Sequence, residues 1–299
     1  MKNNRKRNLR EILTAAMLVF SLLAGTAFVP DTSVYAQNTM DFTIDQNGVL
    51  TAYTGNGGNI TIPKNVKKIG KSAFSGCKSI YSVKIPDTVT VIESAAFDSC
   101  SSLKSVQLPD KLTTIEDSTI WGCTALERIT LPSSVKTIGF GAFGSCDSLN
   151  GVYIPKTVTK IGNYAFGFVF NGEYIPVRDF VIMGQKNSAA QEYADKYSVP
   201  FLTKDSLKTS ISSVSKKSGN KLVVKWKKNT KVSGYEIQYS TSSKYASSKT
   251  KTIRVGKASA TSKAISKIKE GTTYYVRIRG YRTISGKKYY SSWGKVLKK

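Results

Sequence analysis

Apolar residues return along the middle of the chain in fixed columns, 23 residues apart. The unit opens at Ile62-Pro63, Ile85-Pro86, Leu108-Pro109, Leu131-Pro132 and Ile154-Pro155. Next come Val66, Val89, Leu112, Val135 and Val158, and then the unvarying Ile69, Ile92, Ile115, Ile138 and Ile161. An Ala-Phe step follows at Ala73-Phe74, Ala96-Phe97, Ala142-Phe143 and Ala165-Phe166, with Thr119-Ile120 standing in once. Cys77, Cys100, Cys123 and Cys146 close the turn. The spacing predicts one short strand per unit, paired in parallel with its neighbours about 4.8 Å away, and an irregular return. No single coil can bury its own apolar face, so the columns must stack inward as a solenoid over residues 62–170.

The strand stretches read Ile80-x-x-Val83-x-Ile85, Leu103-x-x-Val106-x-Leu108, Leu126-x-x-Ile129-x-Leu131 and Leu149-x-x-Val152-x-Ile154. A period in the twenties with this signature lies in the leucine-rich-repeat range. On these columns the unit resembles the BspA-like leucine-rich repeat of bacterial surface proteins. Repeat five departs after Phe166: Val169 replaces the cysteine and Gly172 the following leucine, which suits a terminal coil. Alternation sends Ser82 and Lys84, Ser105 and Gln107, Arg128 and Thr130, and Gly151 and Tyr153 to the outer face. Tyr81, Lys104, Glu127 and Asn150 lie one step earlier, near the rim. The candidate partner-binding set is therefore Tyr81, Lys84, Lys104, Gln107, Glu127, Arg128, Thr130, Asn150 and Tyr153; an ordinary solvated sheet face is the alternative.

The flanks read as caps. Residues 37–61 hold alternating runs around Asn47-Gly48, a hairpin that shields the open edge of the array. Residues 171–205 lose the period. Phe180 to Met183 reads as a last strand, and residues 188–197 as a short amphipathic helix with Ser188 as its N-cap. Val199-Pro200-Phe201-Leu202 adds a final edge segment.

From residue 206 composition shifts to Lys, Ser, Thr and Tyr, and short alternating runs predict a β-sandwich. Trp226, the stretch Gly234-Tyr235-Glu236-Ile237, and Ile268-x-x-Gly271-Thr272-x-Tyr274-x-Val276-x-Ile278 resemble a fibronectin type III domain over residues 206–299. The resemblance implies an immunoglobulin-like all-β fold with Tyr274 as its tyrosine corner and Trp293 on the last strand. It is silent about ligand.

Charge then separates the two parts. The net charge is +26, but residues 41–205 carry 16 basic and 15 acidic groups, while residues 206–299 carry 24 and 2. Such a domain concentrates polyanions through a field that salt screens. The candidate polyanion-binding residues are Lys225, Lys227, Lys228, Arg254, Arg277, Arg279, Arg282, Lys287 and Lys288; a merely solubilising surface is the alternative. At the other end, Lys2, Arg5, Lys6, Arg7 and Arg10 precede an apolar run over residues 12–29, and Val34-Tyr35-Ala36 follows. This reads as a signal peptide over residues 1–36, against the alternative of an uncleaved anchor. The expected location is secreted or cell-surface associated, with no membrane contact after cleavage. The C-terminus shows no sorting motif.

Catalytic chemistry finds little support. Histidine is absent, which removes Ser-His and Cys-His pairs and the usual zinc clusters. The even cysteine count of an exported chain invites disulfides, yet their spacing places all four in one inward column, as free buried thiols. A line of thiolates roughly 5 Å apart cannot close a tetrahedron around one metal ion. No enzyme activity, cofactor or metal is expected. The expected partner is an extracellular protein or glycan, with anionic wall or host polymers around the sandwich and no specific nucleic acid. Adhesion is what the BspA-like resemblance implies. A structural wall protein and an accessory of a secreted enzyme system remain as rivals.

Overall fold

A computed structural model of the protein describes residues 39–299, so the signal-peptide reading lies outside the described residues. The expected architecture forms, a parallel β-solenoid followed by an antiparallel sandwich. An antiparallel hairpin opens it, β1 (Phe42–Ile44) with β2 (Val49–Tyr53). Short strands then alternate down the coils: β3 (Gly58–Thr61), β4 (Lys68–Ile69), β5 (Ile80–Lys84), β6 (Val91–Ile92), β7 (Ser105–Gln107) and β8 (Thr114–Ile115). The run ends with β9 (Arg128–Ile129), β10 (Thr137–Ile138), β11 (Gly151–Tyr153) and β12 (Lys160–Ile161). Odd-numbered strands carry the leucine-type motif: β3, β5, β7 and β9 pair in parallel as the outer sheet. From β4 to β12, even-numbered strands carry the invariant isoleucine and pair on the return, β4 with β6, and β10 with both β8 and β12. The return is thus more regular than the sequence pattern indicates, because each isoleucine also ties its backbone to the coil above.

The Ala-Phe turn supplies a further ladder between coils. Phe74 N–H donates to Ala96 O, Phe97 to Thr119 O, Ile120 to Ala142 O and Phe143 to Ala165 O, at 2.8–2.9 Å. The aromatic column stacks at the coil spacing: Phe74 on Phe97 and Phe143 on Phe166 both have ring centroids 4.8 Å apart. Ile120 fills the gap between these pairs and is fully buried. No disulfide joins the cysteines. Instead three of the four thiols donate to a carbonyl of the previous coil: Cys100 Sγ to Phe74 O, Cys123 Sγ to Phe97 O and Cys146 Sγ to Ile120 O, at 3.1–3.2 Å. Cys77, in the first coil, is half-buried.

Repeat five departs as a hairpin, β13 (Phe168–Phe170) with β14 (Tyr174–Pro176), that folds over Trp121 and Phe140. The coil pattern then resumes. β15 (Val181–Met183) pairs in parallel with β11 and is followed by helix α1 (Ala189–Lys196). β16 (Phe201–Leu202) pairs with β15. Ser188 stands at the N-cap of α1, but its hydroxyl does not cap the helix; it donates to Gln185 O at 2.7 Å. Gln191 reaches back instead, its Oε1 accepting from Asn187 N–H at 2.9 Å. Tyr193 on α1 ends the turn ladder, since its hydroxyl both donates to Phe166 O and accepts from Phe166 N–H. One side chain therefore supplies what the peptide of a further coil would.

The sandwich has a three-stranded sheet of β17 (Ile211–Lys217), β18 (Lys221–Trp226) and a later β21. The other sheet holds β19 (Gly234–Ser240) and β20 (Thr250–Val255), then, after β21 (Ser262–Ile265), β22 (Tyr275–Ile284), β23 (Lys287–Tyr290) and β24 (Leu297–Lys298). Trp226 is buried between the sheets against Tyr235. Tyr274 forms the expected corner, its hydroxyl accepting from Lys269 N–H at 2.9 Å.

Two tests follow for the inward columns. Phe97→Ala leaves a cavity between stacked coils and lowers stability by about 3–5 kcal/mol in urea unfolding. The thiols give a pH signature. Burial, then the neighbouring Cys100, raises Cys77 to about 11 from an ordinary 9.0. Cys100 is pushed higher by its contact with Cys123 and by burial, and Cys146 by burial. The folded chain keeps protons that the unfolded chain releases, so stability is intact below about pH 9 and falls as pH rises through about 11 and beyond. Cys100→Ala with Cys146→Ala flattens that alkaline slope, and in the native protein Cys77 reacts first with a thiol reagent.

Candidate binding surface

The outer sheet of the first coils is polar and exposed. Tyr81, Lys84, Lys104, Gln107, Glu127, Thr130 and Asn150 all project into solvent, Tyr81 at 52% exposure. Ser82 Oγ donates to Asn59 Oδ1 at 2.7 Å across β5 and β3, which steadies the strip from below. Arg128 is exposed beside Glu127, with 3.6 Å between charged atoms. The strip carries both signs of charge; between Gln107 and Thr130 it holds one small recess of about 260 Å³, floored by Val106 and Leu108, and is otherwise an exposed contact surface.

At the next coil the same face changes character. Gly151 is buried and Tyr153 half-buried, because the sandwich packs there. On β15 the alternation sends Ile182 into the solenoid core and Val181 and Met183 outward. On β16, Leu202 also faces outward. These three join one apolar cluster with Leu207, Ile284 and the sandwich core. The β22–β23 hairpin makes the contact. Its two turn residues, Ser285 and Gly286, both have positive φ, 50° and 76°, the geometry that a two-residue hairpin needs. Ser285 Oγ donates to Gly151 O at 2.8 Å, and Tyr289 stacks on Tyr153 with centroids 4.6 Å apart. A side chain at Gly286 would start 3.1 Å from Arg128 Cδ, and one at Gly151 would start 2.5 Å from Val181 O. At Gly151 the bare backbone lets β15 approach, whereas at Gly286 it is the left-handed φ of the tip that calls for glycine.

The basic residues of the sandwich do not form one patch. Lys225 projects from the outer face of β18, with the exposed Lys227 and Lys228 just beyond its end. Arg254, Arg277 and Arg279 lie on the opposite sheet, where they are committed to partners. Glu236, only 3% exposed, accepts from Arg254 Nε at 3.1 Å and from Arg279 Nε at 2.9 Å. Arg277 donates to Gln238 Oε1 at 2.7 Å. The guanidiniums also lie over aromatic rings: Arg277 over Tyr245 and Trp293, Arg279 over Tyr290 and Trp293, at 3.8–4.6 Å. This plate holds the last strands in place. Arg282 is half-buried opposite Tyr289. Lys287 and Lys288 stay exposed on the edge strand β23.

Sequence reasoning thus placed Tyr153 with one set of candidates and Arg279, Lys287 and Lys288 with another, whereas the fold brings them to one place. Together with Lys204, Tyr289, Tyr290, Ser291 and Ser292 they line an open trough between solenoid and sandwich. The signal that marks the junction is the uninterrupted apolar run Val181-Ile182-Met183, which reads as a strand covered on both faces. Ser285-Gly286 is the second signal, a tight-turn pair between alternating runs.

Residues 52–169 match the BspA type leucine rich repeat region in six copies, and residues 209–294 match the fibronectin type III domain. The solenoid is of the BspA repeat type and the sandwich is of the fibronectin type III type. Among solved structures, a leucine rich repeat protein of T. pallidum is 29% identical over 48% of this chain and 67% of its own, with a TM-score of 0.42. A leucine-rich repeat protein from Bacteroides ovatus is 31% identical over 48% of this chain and 44% of its own, at a TM-score of 0.39. The pneumococcal vaccine antigen PcpA is 16% identical over 54% of this chain and 46% of its own, at 0.44. The chain therefore spans less than half of the last two proteins. A search of the curated proteins finds no match. The repeat and sandwich families matched here are binding domains rather than catalytic ones.

The junction makes its own prediction. Gly286→Val needs a left-handed backbone that a β-branched residue resists, and it drives a side chain into Arg128. The tip then lifts off the solenoid, and protease cleavage in the join near Thr203 to Lys208 accelerates, while the Trp226 core fluorescence of the sandwich stays native.

Proposed function

We propose that this is a non-catalytic, exported bacterial surface protein. The polar strip of its first coils takes a protein or glycan partner, and the basic sandwich holds the molecule near anionic wall or host polymers. One observation carries the reading: an exposed strip of varied side chains stands on inward columns that scarcely vary. Identical core positions make the strip rigid, and varied outer positions make it particular, which is how repeat proteins present binding surfaces. The family matches and the charged leader with its apolar run are consistent with export and surface display.

Docking of the two parts alters the role of the sandwich. Val181, Met183 and Leu202 share a core with it, so it is a fixed wall at the end of the strip rather than a module on a free linker. A partner laid along the strip from Tyr81 toward Asn150 would meet that wall.

The experiment uses the exported chain, residues 37–299, because cutting it at the join would bare the shared apolar cluster. It is tested against purified walls, walls stripped of anionic polymer, and immobilised matrix proteins. The triple variant Tyr81→Ala, Lys104→Ala and Gln107→Ala removes only exposed groups. It is expected to weaken binding to a matrix or surface protein by about tenfold or more, with an unchanged melting temperature. Unchanged binding of this variant to every protein that the parent captures removes the strip from the reading.

A further inference from the structure

The trough at the junction has features that neither the strip nor the general charge of the sandwich explains. The solenoid gives it Tyr153 and the join gives it Lys204; the edge strand β23 gives it Lys287, Lys288, Tyr289 and Tyr290. Among the described residues, Lys204, Lys287 and Lys288 have no ion-pair partner. The cations thus lack counter-ions, Lys287 and Lys288 lying only loosely over the rings of Tyr289 and Tyr281 at 5.8 and 5.9 Å, while the wall behind them is fixed. Tyr289 is held against Tyr153, and Tyr290 lies under the Arg279 guanidinium at 4.1 Å. Arg279 is itself held by Glu236.

We propose that this trough is a binding site for one strand of an anionic polysaccharide, a polymer of sugar rings bearing carboxylate, sulfate or phosphodiester groups. The inference rests on the reading of the sandwich as the element that retains the protein at anionic polymers, and it gives that retention a place. Three features select the class. The site is an open groove of about 580 Å³, shaped for a chain to pass along rather than for a small molecule to be enclosed. Its free charges are ammonium groups, point charges that suit repeated single anions; the guanidinium fork that grips a terminal phosphate is already committed to Glu236. Its aromatic rings each have one face covered, by another tyrosine or by the guanidinium, so they form a hydroxyl-edged wall rather than a platform for successive bases. The exposed Ser292 adds a further hydroxyl.

The test compares two charge-matched triple variants of the exported chain. One is Lys204→Ser, Lys287→Ser and Lys288→Ser, in the trough. The other is Lys225→Ser, Lys227→Ser and Lys228→Ser, at the opposite sheet. Affinities are measured in ~0.1 M salt for a uronate polymer, a sulfated glycosaminoglycan and a phosphodiester-linked wall glycan, which separates host from wall sources. Inorganic polyphosphate and single-stranded DNA serve as sugar-free and base-bearing polyanions. The trough variant is expected to lose about tenfold or more for at least one polysaccharide, while the distal variant loses about twofold. Gly286→Val, which removes no charge, is expected to lose affinity with the trough variant, because the site needs both parts docked.

Equal losses in both triple variants, or equal preference for polyphosphate, would show diffuse attraction; the inference falls and the retention reading survives. Tighter, trough-dependent binding of DNA overturns the saccharide class. If the trough variant self-associates while keeping full affinity, the lysines only protect the β23 edge, and the inference falls. No binding of any polyanion by the parent overturns both readings.

Discussion

The structure depends on coils that repeat one backbone path closely enough for each to hydrogen-bond the next at three places. Those places are the outer sheet, the isoleucine return and the Ala-Phe turn. The repetition includes strain. Ser72, Ala95, Ser118 and Tyr164 stand in one column with φ between 53° and 57°, a left-handed region that costs non-glycine residues about 1–2 kcal/mol each. In return Ala95 N–H donates to Asp117 O, Ser118 to Phe140 O and Gly141 to Asn163 O. The strained residue points its amide at the next coil, so the turn conformation and the stacking sustain each other. Only Gly141 occupies the column without steric penalty.

Given that rigid path, the outer face is decided residue by residue by polarity. Lys84, Gln107 and Thr130 succeed one another on one outward column, and the sheet there stays open to solvent. The same column then reads Tyr153 and Met183, and the flanking outward position turns from Ser82 and Ser105 to Val181. Leaving that apolar group in water is unfavourable, and the sandwich covers it. The switch therefore defines both surfaces at once: where the solenoid is free to meet a partner, and where its own second domain occupies the equivalent ground. Gly151 lets β15 approach because a side chain there would meet Val181, and Gly286 gives the hairpin tip its left-handed turn beside the Arg128 side chain.

Most of the fold was legible because it is written in period. Every inward column named from spacing is buried, from Ile62 through Phe166, with Cys77 and Ile161 only partly so at the rim. The sandwich was legible through Trp226 and Tyr274, whose packing and hydrogen bond are local consequences of the strand pattern. What periodicity does not carry is the meeting of non-repeating parts. Repeat five becomes the β13–β14 hairpin because Asn171-Gly172 supplies a turn between Phe170 and Tyr174, and the aromatic column spills onto Trp121. The trough joins residues separated by more than a hundred positions, and no window of sequence shows that Tyr153 stacks on Tyr289. The outer strip was legible as a face, since alternation is local, but Arg128 and Tyr153 belong to the junction as much as to the strip.

The excess of positive charge in the sandwich also divides on physical grounds that a net figure conceals. The arginines gather on one sheet, where planar guanidiniums can lie over Tyr245, Tyr290 and Trp293 while donating to Glu236 and Gln238. Their charge is spent within the fold, and Glu236, one of two acids in the domain, is the counter-ion that makes this possible. The lysines remain in solvent on flexible stems and generate the long-range field. A field of that kind gathers polyanions without choosing among them, so choice must come from a place where free lysines face fixed groups. Lys227, Lys228 and Lys231 surround a shallow site with Asn229 and small hydroxyl residues, and no aromatic wall stands behind them. At the junction Lys287 and Lys288 extend from the strand whose next two residues are tyrosines, one packed on the solenoid and the other on the arginine plate. The same short strand thus carries charge without a counter-ion, rigid backing and the contact between the domains, and its recognition properties cannot be separated from how the two domains are held.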